Sequence, residues 1–279
     1  MPAKTILLTG GTSGIGQALA VRLLREGARV VVVGRESPRA RSALAEISAQ
    51  APGTSLEFLP ADLSLQTEVR LVAGEFLSKH DRLDVLVNNA GALFSHREVT
   101  AEGFERTWAT NHLAPFLLTH LLLDRLRASA PSRIVITSSA AHRYSRLDFD
   151  DLQMERRYRG FTMYSRTKLA NLLFTRALAR RLSGSGVTAN CFHPGVVRTG
   201  LFARPGSGGL FFALARPFMI SPEKASVTPF FLCTDPGVST TSGGYFAKSR
   251  IAPSSPLSQD LEVQGRLWKV SEQMTGTAG

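Results

Sequence analysis

Cysteine is nearly absent from this chain. The two residues present among 279, Cys191 and Cys233, form no C-x-x-C pair and no metal-ligand spacing. That excludes a disulfide framework and argues for a reducing, cytoplasmic setting. Long apolar runs are also missing. The longest candidate, Leu113 to Leu126, is interrupted by Pro115, His120, Asp124 and Arg125, and about 18 uninterrupted residues are needed to span a bilayer. No transmembrane segment is expected. Met1-Pro2-Ala3-Lys4 leads straight into the strand-like Thr5-Ile6-Leu7-Leu8-Thr9, so no signal-peptide pattern is present. Acidic residues are the minority charge, with 22 Asp and Glu against 33 Lys and Arg for a net +11. The excess is mostly scattered Arg. Its densest region, 143–166, also holds Asp148, Asp150, Asp151 and Glu155. Without a basic tail or a nucleic-acid motif, no nucleic-acid partner is expected. The charge reads as a solvated surface that helps attract an anionic cofactor.

What is present is an alternation. Apolar residues make up 43% of the chain, ample for a core. Strand-like runs at 6–9, 29–33, 56–60, 83–87, 133–137, 187–192 and 243–246 alternate with helical spacing at 14–26, 38–50, 65–79, 103–110, 112–129, 162–183 and after Ser221. A terminal helix follows at 258–274. This order implies right-handed parallel crossovers. The expected fold is α/β, a single doubly wound parallel sheet of the Rossmann type flanked by helices, with residues 1–279 forming one domain. Ligands of such sheets sit at the carboxyl ends of the strands.

Tyr164 and Lys168 stand four apart on the 162–183 helix, so phenol and ammonium share a face. A free phenol titrates near pH 10, and a nearby cation lowers that value by roughly 1–3 units. The pair is thus a candidate general acid/base. A surface Tyr beside a Lys is the plain alternative. Between the first strand and helix lies Gly10-Gly11-Thr12-Ser13-Gly14-Ile15-Gly16. It reads either as a tight turn or as a loop bringing helix N–H groups against a pyrophosphate. After the second strand, Arg35 is suited to a ribose 2′-phosphate, although Glu36 follows it and a surface Arg is the alternative. Asp62, followed by Leu63 after the third strand, could accept from an adenine amine or cap a helix.

Gly10, Gly14 and Gly16, then Asn88-Asn89-Ala90-Gly91, then Tyr164-x-x-x-Lys168 occur in order on matching elements. In this joint pattern the chain resembles the short-chain dehydrogenase/reductase family over nearly its whole length. Residues 160–198, with Lys168-Leu169-Ala170-Asn171 and His193-Pro194-Gly195-Val196-Val197-Arg198-Thr199, resemble its retinol dehydrogenase-like branch more narrowly. Membrane-anchored members of that branch carry an N-terminal apolar anchor, which is not found here. The resemblance implies that Tyr164 exchanges the proton and that Lys168 lowers its pKa and holds the nicotinamide ribose. Ser139 would bind the substrate oxygen, with Ser138 as rival, and Asn111 would hold a relay water unless it caps the next helix. Asn89, Ala90 and Gly91 would line the cofactor. Pro194, Gly195, Val197 and Thr199 would meet its nicotinamide end unless Pro194-Gly195 is only a turn. His193 is expected to be structural and His142 to lie at the pocket rim.

These readings imply hydride transfer between NADP(H) and an apolar carbonyl or alcohol, with NADP expected ahead of NAD. The rival reading is a nucleotide-binding regulator or scaffold without turnover. The substrate wall is expected at 93–97, 140–159 and 196–220. The apolar stretch at 207–220 reads as a lid, a core helix or a membrane contact. Helices 112–129 and 162–183 carry enough apolar residues for a homodimer or homotetramer, or simply to cover the sheet.

Overall fold

The computed structural model describes residues 3–197 and 219–277. Leucine and β-branched runs build its centre. Thr5–Thr9 (β1) is buried throughout, as are the four interior valines of Arg29–Gly34 (β2). Strands burdened on both faces with apolar side chains need helices on both sides. Alternate residues therefore serve opposite cores. Leu7, Val31 and Val33 pack with Val72 and Phe76 on one face. Ile6, Leu8, Val30 and Val32 pack with Leu19, Leu23 and Ile47 on the other.

Helices Gly14–Arg25 (α1), Pro38–Gln50 (α2) and Gln66–Lys79 (α3) separate β1, β2, Leu56–Pro60 (β3) and Val85–Asn88 (β4). Then come Arg106–Trp108 (α4), Ala114–Ala128 (α5), Ser132–Thr137 (β5), Gly160–Arg181 (α6) and Val187–His193 (β6). Pro222–Ala225 (α7), Val227–Thr234 (α8), Tyr245–Ala247 (β7), Arg250–Ile251 (β8) and Leu261–Thr275 (α9) complete the described chain. The sheet order is β3-β2-β1-β4-β5-β6-β7-β8. After β3 the chain crosses to the other side of β1, and this reversal between β1 and β4 opens the crevice where ligands bind in such sheets.

Three local features depart from the expected pattern. Residues 103–129 do not form two helices parted at Asn111. Ala109–Leu113 winds as a π turn continuous with α4 and α5, and Ala114 N–H reaches back to Ala109 O. Pro115 has no N–H for the Asn111 carbonyl four residues earlier, which favours this wider turn. Asn111 is therefore not a helix cap. At the sheet edge, β8 pairs antiparallel with β7. The connecting Lys248 and Ser249 both have positive φ, 51° and 57°, as a two-residue hairpin requires. The terminal helix starts late, at Leu261, because Asp260 caps the N–H groups of Glu262 and Val263.

Helix α9 lies on α6, with Trp268 5.1 Å from Phe116 and 5.8 Å from Phe174, ring centre to ring centre. Part of the apolar surface of α5 and α6 is thus covered by the chain itself. Among the described residues no helix is long and apolar enough to cross a membrane.

Candidate active site

A cleft of about 680 Å³ follows the switch point along the carboxyl ends of the strands. Its floor is the β1–α1 loop. Gly10 has φ +68°, and a Cβ on Gly16 would overlap the Gly10 carbonyl and come within 2.7 Å of Asn89 Nδ2. Only glycine permits this closeness. Asn89 Nδ2 donates to the carbonyls of Thr9 and Gly10, which locks the turn. Ser13 caps α1 without a side-chain hydrogen bond, so the first N–H groups of α1 have no side-chain partner there. Free N–H groups and the positive helix end suit an anionic pyrophosphate.

Gly10, Thr12, Ser13, Gly14, Ile15, Gly16, Arg35, Asp62, Leu63, Asn89, Ala90, Gly91, Tyr164, Lys168, Pro194, Gly195 and Val197 all line this cleft. Thr199 and most of the expected 196–220 wall, with most of the 207–220 stretch, lie outside the described residues. Arg39, Arg106 and Thr110 line it as well, and sequence reasoning missed them. Arg39 had a usable signal, standing four residues after Arg35 in the first turn of a helix opened by Ser37-Pro38. Glu36 does not neutralise Arg35, because its carboxylate is taken by Arg41 at 2.5 Å. Asp62 lies in the cleft but is not the cap of α3, which starts from Leu65. Its Oδ1 accepts from Ser64 N in a local turn, and its Oδ2 lies 3.6 Å from Arg106.

At the other end, Tyr164 is buried with Leu93 and Ala141 in a small apolar cluster. The Ser139 hydroxyl bonds to it, and Ser139 Oγ also accepts from Ala141 N at 3.2 Å. Ser138 is no rival. Its hydroxyl is buried and donates to the Lys168 carbonyl. Lys168 Nζ lies 5.4 Å from the Tyr164 ring centre and donates to the Thr137 carbonyl at 3.1 Å. A Cβ added to Gly91 would be 3.5 Å from both Lys168 Nζ and Asn111 Oδ1, so these two atoms flank the same gap. The Asn111 side chain is fully engaged, accepting from Ala92 N and donating to Ala92 O and Thr167 Oγ1.

The electrostatics correct one expectation. The cation does not hold the Tyr164 phenol below its usual range. Burial pushes it up to about 12, offset only in part by the Ser139 bond. Burial likewise pushes Lys168 down to about 8. Taking either charge out of water outweighs their mutual influence. Tyr164 is thus a neutral donor at pH 7, and Lys168 is still mostly an ammonium.

His193 is structural as expected. Its Nδ1 accepts from Ala140 N at 3.2 Å, and burial pushes its pKa down to about 4. His142 is not at the rim but fully buried. It sits 2.6 Å from Ser139 O through Nδ1, accepts from Ser255 N through Nε2, and stacks edge-on against Tyr245. The two histidines brace the loop that carries Ser139.

A family model for short chain dehydrogenases matches residues 4–207. Retinol dehydrogenase 14 of Mus musculus is 41% identical over 99% of this chain and 87% of that protein. Retinol dehydrogenase 12 of Homo sapiens is 39% identical over 99% and 87%. Among solved structures, an uncharacterized protein from Mycobacterium paratuberculosis superposes with a TM-score of 0.79 at 30% identity, covering 98% of this chain and 93% of its own. RhlG of Pseudomonas aeruginosa, in an NADP active-site complex, gives 0.70 at 26% identity, covering 88% of this chain and 94% of its own.

Proposed function

The chain belongs to the short-chain dehydrogenase family, and on that premise we propose that it reduces an apolar aldehyde or ketone with NADPH, Tyr164 giving the proton. Its retinol dehydrogenase relatives are oxidoreductases, and so is this chain. The observation that carries the finer reading is the buried, neutral phenol of Tyr164 with Ser139 bonded to it and an ammonium on the same helix.

The cradle fits a nicotinamide dinucleotide. The glycine loop admits a close backbone approach, and the α1 N-terminus meets a pyrophosphate. Arg35 and Arg39 favour a 2′-phosphate. A bound reduced nicotinamide would supply the hydride. Ser139 and Tyr164 then donate to the substrate oxygen as negative charge develops there. Tyr164 gives up its proton, and Lys168 offsets the phenolate left behind. Leu93 and Ala141 beside Tyr164 offer an apolar wall, which supports an apolar substrate. An intact acid/base set is superfluous in a pure regulator.

The test is NADPH oxidation over a panel of aldehydes and ketones, with Tyr164→Phe as control. The expected loss in the variant is about 10²–10⁴-fold in kcat. NADPH binding with no turnover on any carbonyl would favour the regulator instead.

A further inference from the structure

Behind Lys168 a run of buried polar groups leads away from the cleft to the C-terminal helix. Lys168 Nζ and Asn171 Nδ2 both donate to the Thr137 carbonyl, at 3.1 and 3.2 Å. Asn171 Oδ1 faces His112 Nδ1 at 3.4 Å, and His112 Nε2 meets Ser271 Oγ of α9 at 2.9 Å. Thr137, Lys168, Asn171, His112 and Ser271 are all buried. The proton positions follow from the partners. A carbonyl only accepts, so Asn171 turns its Nδ2 to Thr137 and its Oδ1 to His112. Oδ1 has no proton to give, so Nδ1 carries one, and Nε2 shares the Ser271 hydroxyl with the Leu267 carbonyl, which lies 2.8 Å from the same oxygen. Burial pushes the His112 pKa down to about 4, so the ring is neutral.

A space-filling role does not call for an imidazole here. The ring lies 4.6 Å from Trp108 and 6.4 Å from both Phe116 and Phe174. A phenyl group would fill that site without burying two polar nitrogens. What only the imidazole supplies is the link between α9 and Asn171.

We infer that His112 and Asn171 are positioning residues that fix the Thr137 carbonyl receiving the Lys168 ammonium and anchor it, through Ser271, to helix α9. The inference rests on the role given to Lys168 above. Its consequence has a sign. While Asn171 shares the carbonyl, the ammonium has only part of it. If Asn171 is released, the carbonyl serves the ammonium alone and Lys168 keeps its proton to higher pH. The groups flanking Lys168 are Tyr164 on its own helix and Asn111 on the π turn, and among the described residues no carboxylate offsets its burial.

His112→Phe keeps the packing and removes both contacts. Two measurements decide. One is the pH profile of NADPH-linked turnover. The other, independent of turnover, is the pH dependence of acylation of Lys168 by an amine reagent, read by mass spectrometry. In His112→Phe the alkaline limb and the labelling midpoint should both move up by about half a unit or more. The value of kcat should fall about tenfold, from the misplaced ammonium. His112→Asn, whose amide N–H falls near the Nδ1 position, should recover most of both effects. Ser271→Ala should move the labelling midpoint the same way by less, and it serves if His112→Phe does not fold. An unchanged profile and midpoint in the folded variant would reduce His112 to packing. If the parent turned over no carbonyl at all, the proposed reaction would fall, while the labelling midpoint would still decide the positioning role of His112 and Asn171.

Discussion

The hydroxyl of Ser138 donates to the main-chain carbonyl of Lys168 at 2.8 Å. This bond ties the tip of β5 to the turn of α6 that carries the ammonium, and it leaves Ser139 alone to reach Tyr164. The adjacent serines should therefore fail differently. Ser138→Ala should cost about 1 kcal/mol of stability and change kcat by less than about twofold. Ser139→Ala should lower kcat by about 10²-fold with little change in melting temperature. Thermal melts and steady-state kinetics of the two variants provide the check. Equal kinetic losses would return Ser138 to the site.

On the proposed mechanism, reduction needs the Tyr164 proton and the Lys168 charge. Tyr164 holds its proton up to about 12, whereas Lys168 loses its own near 8. The reductive kcat should thus be level below pH 8 and fall above it. The same burial makes Lys168 a stability burden. Below pH 8 both folded and unfolded chains hold the proton, so the burden is complete. Between about 8 and 10.5 the folded chain releases it first, and stability rises with pH. Lys168→Met should therefore be inactive yet more stable than the parent at pH 7, by on the order of 3 kcal/mol. That advantage should vanish by about pH 10.5. Denaturant titrations at three pH values test this, and a pH-independent difference would contradict it.

Arg35 and Arg39 make no ion pair among the described residues, while Arg41 occupies Glu36. Both free guanidinium groups lie in the cleft. Arg35→Ala should raise KM for NADPH about tenfold, or ~1.4 kcal/mol, and leave KM for NADH nearly unchanged. Adding Arg39→Ala should raise it further, and higher ionic strength should weaken NADPH binding in the parent more than in the double variant. Equal effects on both cofactors would remove the 2′-phosphate role.

The β/α order was legible because strands buried on both faces read as unbroken apolar runs, and because Gly10, Gly14 and Gly16 leave a recognisable gap between strand and helix. The cleft-lining residues followed from their places at strand ends. The π turn was not legible. One extra residue per turn only shifts the helical phase, and Asn111 between two apolar faces looks like a break. Arg106 was hidden because its reach into the cleft depends on how residues 93–104 fold back, which no local spacing records. His142 looked peripheral, yet Ser255 N–H, 113 residues away, holds it in the interior. The proton affinity of Tyr164 was misjudged for the same reason. Spacing placed the cation beside it, but the depth of burial that outweighs the cation is a property of the assembled fold.

Arg106 connects the two ends of the cleft, and this gives a further expectation. Its guanidinium lies 2.8 Å from Glu98 and 3.6 Å from Asp62, and it covers the Phe94 ring at 4.9 Å. On the proposed reading Asp62 faces the adenosine end of the cleft. Phe94 lines the cleft in the segment expected to form the substrate wall, and its carbonyl accepts from Tyr158 at 3.1 Å. One planar cation thus positions both. Arg106→Ala should raise KM for NADPH and for the carbonyl substrate together, each by about three- to tenfold, with the pH profile of kcat unmoved. Arg106→Lys should not restore either, since an ammonium cannot lie flat on a ring while reaching two carboxylates. A rise in KM for NADPH alone would confine Arg106 to the adenosine end, and the wall formed by Phe94 would then be held by Tyr158 without it.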